Sequence, residues 1–104
     1  MSGAVRTVAQ QGKSDMTPWE EDVNGRRRIR ADIKKLESQA GELEDAVVVD
    51  LHQALVRAES RESYFAREAS LDLSYAANEC CDPDLRERIE EVRRDLHKLV
   101  FPQP

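Results

Sequence analysis

Apolar residues recur along this chain at alternating spacings of four and three, and that rhythm leaves it little choice of fold. Ile29, Ile33, Leu36, Ala40, Leu43 and Val47 form one such series, and Leu85, Ile89, Val92, Leu96 and Leu99 form another. A period near 3.5 residues places every member of a series on one stripe of an α-helix, whereas a half-buried strand needs strict alternation. The first series continues less cleanly through Leu51, Ala54 and Ala58. Phe65, Ala69, Leu73, Ala76 and Cys80 keep helical spacing beyond it. The predicted fold class is therefore all-α, with long helices forming an antiparallel helical hairpin or bundle.

The helices are heavily charged. Of the 104 residues, 36% are charged, 39% hydrophobic and only 5% aromatic. One apolar stripe flanked by charge suits a helix. It also makes a thin core for a chain this short, for which oligomerisation is a common remedy. The heptad seam Ile29, Ile33, Leu36, Leu43 and Val47 is accordingly the candidate self-association surface of a homodimer. A net charge of −5 opposes non-specific attraction to phosphate backbones. No segment approaches the roughly 20 apolar residues of a membrane span, and Met1–Gln11 lacks the apolar stretch of a secretory signal. Cys80 and Cys81 are adjacent and cannot staple a fold, so the expected compartment is the reducing cytoplasm.

Capping signals divide the chain. Residues 1–16 are small, polar and aperiodic and are read as a flexible tail, with 17–104 a single helical domain. Thr17, Pro18 and Glu20 spell a capping box with proline at the first helical position. Asp82-Pro83-Asp84 marks a second start, and Pro102 a stop. Asp84–Arg88 and Glu90–Arg94 are i,i+4 pairs on the last helix. Helices are expected at about 18–40, 42–80 and 83–101. Glu42 to Asn78 contains neither glycine nor proline, so the middle helix would be roughly 55 Å long at about 1.5 Å per residue. The pattern leaves open whether Gly41 kinks a continuous helix or caps one helix before another.

Little here resembles catalytic chemistry. The four glycines are scattered, so none builds a phosphate-cradling loop. His52 and His97 each have an aspartate two positions earlier, Asp50 and Asp95, which is a different helix face and no preformed dyad. Cys80 and Cys81 lack Cys-x-x-Cys spacing and further ligands. Cys80 falls on an apolar stripe as a small hydrophobe, and Cys81 sits nearer the turn. The expectation is a protein that is not an enzyme and holds neither cofactor nor metal.

Surface chemistry is more informative. Arg26, Arg27, Arg28 and Arg30, followed by Lys34 and Lys35, are candidate phosphate contacts of a nucleic-acid-associated protein. Against this, no aromatic or asparagine lies among them to read bases, and Ile29 and Ile33 already serve the heptad. Val48 and Leu55 lie off the main seam. So do Tyr64, Leu71 and Tyr75, spaced seven and four on one helix face, with Phe101 available to extend the patch. Tyrosine is favoured where one end of a side chain stays wet, and these four are the candidate partner-binding residues.

In length, tail, long helices and a helical hairpin ending at the aromatic-proline pair Phe101-Pro102, the chain resembles the small bacterial quorum-sensing anti-activators of the QslA and TraM type. The similarity is one of architecture over residues 18–102, with no motif that transfers a functional residue. It implies a non-enzymatic dimer that sequesters a LuxR-type transcriptional regulator, blocking its dimerisation or DNA binding. The alternatives are nucleic-acid association through 26–35 and a structural coiled-coil component.

Overall fold

The computed structural model describes residues 17–101, which contain five helices and no strand. They are α1 (Pro18–Glu21), α2 (Val23–Leu43), α3 (Asp45–Ala58), α4 (Ser63–Glu79) and α5 (Pro83–Val100). The all-α class stands. The expected tail, 1–16, and Pro102 lie outside the described residues.

The capping signals act as read. Glu20 Oε1 accepts the Thr17 backbone N–H at 3.2 Å, and Pro18 occupies the first turn. Asp82 accepts the Leu85 N–H at 2.8 Å and opens α5. Glu90 pairs with Arg93 at 2.6 Å, not with Arg94 as the i,i+4 spacing suggested.

The helix expected at 18–40 is broken at Asp22, which ends α1 and caps α2 by accepting the Gly25 N–H at 2.8 Å. A Cβ at Gly25 would lie 2.6 Å from Asp22 Oδ2, so any larger residue there would require the capping carboxylate to shift. Gly41 does not cap a helix. It sits exposed inside α2, and the break comes at Glu44, whose extended backbone separates α2 from α3.

The single helix expected at 42–80 does not form. Residues 15 apart in a straight helix stand roughly 22 Å apart, yet His52 Nδ1 lies 3.3 Å from Glu37 Oε2 and Arg57 Nη1 2.9 Å from Asp72 Oδ2. The chain therefore turns at Glu44 and again at 59–62. The second turn is held by tertiary partners. The Ser60 carbonyl accepts from Trp19 Nε1 at 3.2 Å, and the Ser60 hydroxyl accepts the Glu62 N–H at 3.1 Å. Thr17 and Ser63 share a hydroxyl–hydroxyl hydrogen bond beside it. Arg26 Nη1 donates to the Trp19 and Glu20 carbonyls, both at 2.8 Å, and satisfies the end of α1.

Each helix packs on the next, α3 on α4 most extensively, and α2 also meets α5. The buried core takes Ile29, Ile33, Leu36 and Ala40 from α2 and Val47, Leu51, Ala54 and Ala58 from α3. It adds Ala66, Ala69, Leu73 and Ala76 from α4 and Leu85, Ile89, Val92, Leu96 and Val100 from α5, with Trp19 closing one end. Alanines on the facing sides of α3 and α4 let those backbones approach closely. Phe65, expected on the α4 stripe, is half-exposed, while its neighbour Ala66 is buried. The starting phase set at Ser63 turns Phe65 outward against Tyr64, the two rings edge-to-face at 5.2 Å.

The expected self-association seam is corrected by this packing. Ile29, Ile33, Leu36 and Val47 are 0–3% exposed against the protein's own helices and offer no surface to a second copy. Leu43 alone of the five is exposed, because it lies in the last turn of α2 beyond the core.

Candidate functional site

The inner face of α4 is spent on the core, so its outer face is what the molecule presents. Successive α-helical residues turn by about 100°, which brings Tyr64, Leu71 and Tyr75 within about 40° of one another and opposite Ala69 and Leu73. Their exposures are 63%, 48% and 54%. Solvent covers all three, and no part of the described chain depends on them for its core.

Phe101 lies at the edge of this face. Its ring centroid is 4.6 Å from that of His97, and the Arg67 guanidinium stands 5.4 Å from the Phe101 centroid on the α4 side. Arg67, Ser70, Leu71 and Ser74 of α4, with Arg93, His97 and Phe101, line a shallow groove of about 290 Å³ between α4 and α5. The structure thus connects Leu71 and Phe101 through a common groove, with Tyr64 and Tyr75 on the same face of α4. Arg67, Arg93 and His97 were missed as site residues. The available signal was Arg67 lying four positions before Leu71 on the same helical surface.

On the opposite flank of that face, α3 and α4 meet through charged groups. Arg57 Nη1 donates to both carboxylate oxygens of buried Asp72, at 3.1 and 2.9 Å. Burial pushes the Asp72 carboxyl upward, while the Arg57 charge opposes the shift. Glu79 is also raised by Asp50, first because its protonated form can hydrogen-bond that carboxylate and then by the like charge there. Asp50 Oδ2 has no hydrogen-bond partner and no solvent contact.

At the far end of α4, Glu44 reaches from the α2–α3 turn to the α4–α5 turn. Its carboxylate accepts the Cys81 N–H at 3.0 Å, the Asp82 N–H at 3.2 Å and the Cys80 thiol at 3.2 Å. The Cys81 N–H is the largest of the causes that hold the Glu44 carboxyl below its ordinary range. The Cys80 thiol is raised by burial and then by Glu44. Cys80 is thus a core residue, and Cys81 is exposed.

The remaining candidates are dispersed. Arg26 is committed to the end of α1. Arg27 and Arg28 are exposed and Arg30 half-buried, on different sides of α2 around Ile29. Val48 and Leu55 are partly buried at the cleft between α2 and α3. His52 is an exposed partner of Glu37, and His97 stacks on Phe101. Among the described residues no three His, Cys, Asp or Glu side chains converge as metal ligands, and no helix is long and apolar enough to cross a membrane.

No protein-family model matches the chain, and neither a curated protein nor a solved structure matches it. The described residues define a small helical protein whose distinctive surface is an apolar, aromatic face on α4.

Proposed function

We propose that this is a non-enzymatic protein-binding module that captures a partner on the outer face of α4. The observation that carries the reading is the exposure of Tyr64, Leu71 and Tyr75 on one helix face, with Phe101 beside it, in a chain that closes its core without them. Large side chains left in water cost solubility and contribute nothing to this core, while a contiguous group of them suits an interface. An apolar helix face laid over a partner is an established recognition mode.

In the form implied by the architectural resemblance, the partner is a LuxR-type transcriptional regulator. The α4 face would then cover the surface that regulator uses to dimerise or to reach DNA. Any homodimer in this reading uses exposed surface, because Ile29, Ile33, Leu36 and Val47 are enclosed.

The test is affinity capture from the native cell extract with the full chain and with a Tyr64→Glu/Tyr75→Glu variant, with and without nuclease. A partner retained after nuclease and lost with the variant supports the reading. Capture abolished by nuclease, and by replacing Arg27 and Arg28, would transfer the function to the basic segment of α2.

A further inference from the structure

The α4–α5 groove differs in charge from the chain that contains it. The protein is net −5, and its wider cleft between α2 and α5 mixes signs, with Asp32, Glu91 and Asp95 among Lys35, Arg88 and Lys98. Among the described residues, the α4–α5 groove is lined by Arg67, Arg93 and His97 and by no carboxylate. Its apolar surface is Leu71 and Phe101, 48% and 41% exposed. Phe101 is in contact with the His97 ring and with the Arg67 guanidinium, so the aromatic anchor is held in place before anything binds while its remaining surface stays open. A guanidinium has five N–H donors, and the Arg93 pair with Glu90 uses only Nε.

From this geometry we infer that the groove is a docking site for an acidic segment of a protein partner, with an apolar side chain seated on Leu71 and Phe101 and a carboxylate meeting Arg67 and Arg93. The inference rests on the protein-binding reading and specifies its chemistry. Two rows of residues build the site: Arg67, Ser70, Leu71 and Ser74 at helical spacing on α4, and Arg93, His97 and Phe101 at successive steps of four. The α4 row spans about 10 Å at about 1.5 Å per residue, enough for two turns of a bound helix. The protein's own N-terminal residues are a poor match, since 1–16 carry Arg6 and Lys13 against Asp15 alone.

The experiment is fluorescence anisotropy of a labelled amphipathic peptide of leucines and glutamates. The same peptide with lysines for glutamates and a labelled oligothymidylate serve as the other probes. Saturable binding of the glutamate peptide alone is expected, with affinity reduced about tenfold or more by Arg67→Glu and by Phe101→Ala. Both variants change exposed side chains and keep the wild-type helical circular dichroism. No saturable binding, equal binding of the lysine peptide, or affinity unchanged in Arg67→Glu overturns the inference. Oligothymidylate binding with the same Arg67 dependence overturns it in favour of nucleic acid. Self-association of the chain alone, abolished by Arg67→Glu in sedimentation, overturns it in favour of a second copy. If the captured partner is lost with Tyr64→Glu/Tyr75→Glu but kept with Arg67→Glu, the groove inference fails while the protein-binding reading stands.

Discussion

Helices α2 and α4 bury comparable inner faces, and their outer faces diverge. The outer side of α2 carries Arg27, Arg28, Lys34, Lys35 and Glu42, all exposed. The outer side of α4 carries Tyr64, Leu71 and Tyr75, with Arg67 and Glu68 beside them. Either outer surface satisfies the fold, because the core is complete without it. The difference therefore reports on what each helix meets outside the fold. A charged exterior is the ordinary solvated state of a helix, and the aromatic exterior of α4 is the exception.

The comparison breaks most sharply if inner and outer faces prove energetically alike. Trp19→Ala should cost about 3–5 kcal/mol in urea denaturation, and Ile33→Ala about 2–5 kcal/mol, because both side chains are fully buried. Tyr64→Glu/Tyr75→Glu, by contrast, should alter stability by about 0.5 kcal/mol or less per site while removing partner capture. A large loss of stability in that variant would make the α4 face part of the fold and remove the basis of the functional reading.

Two carboxylates near the C-terminal end of α4, Glu44 and Glu79, sharpen the contrast with opposite pH dependence. Glu44 has a lowered pKa, so its contribution is present above the ordinary carboxylate range and is lost as pH falls through the folded value. The thermal midpoint of Glu44→Ala should be well below wild type at neutral pH, and the gap should narrow under acid. Glu79 has a raised pKa because Asp50 faces it. Its protonated form is favoured in the folded state, so stability falls as pH rises from its ordinary value through the raised one. Arg57, Glu68 and Asp72 share that seam. Glu79→Gln should give the smallest effect, a slight rise in thermal midpoint at neutral pH that disappears at acid pH.

Some of this was legible before any contact was known. The Thr17 and Asp82 starts could be read because a cap and the residues it serves lie within one turn. The α5 stripe could be read for the same reason, since periodicity is local. The turns at Glu44 and 59–62 were illegible because neither contains glycine or proline. Spacings of four and three run from Leu43 to Val47 whether a helix continues or folds back. Periodicity reports which side of a helix is apolar and carries no record of direction. The alternation of Tyr64, Leu71 and Tyr75 was visible, but the basic rim that joins Leu71 to Phe101 comes from two helices and has no signature in either.

By itself, then, the sequence determined the helical class, the caps and the apolar stripes, all set by interactions within a few residues of one another. Tertiary structure decided which stripe is core and which is surface. The Ile29 to Val47 seam went inside because α3, α4 and α5 of the same chain supply enough apolar surface to cover it. The α4 face stayed outside because, once that core closed, no described helix remained to pack on it.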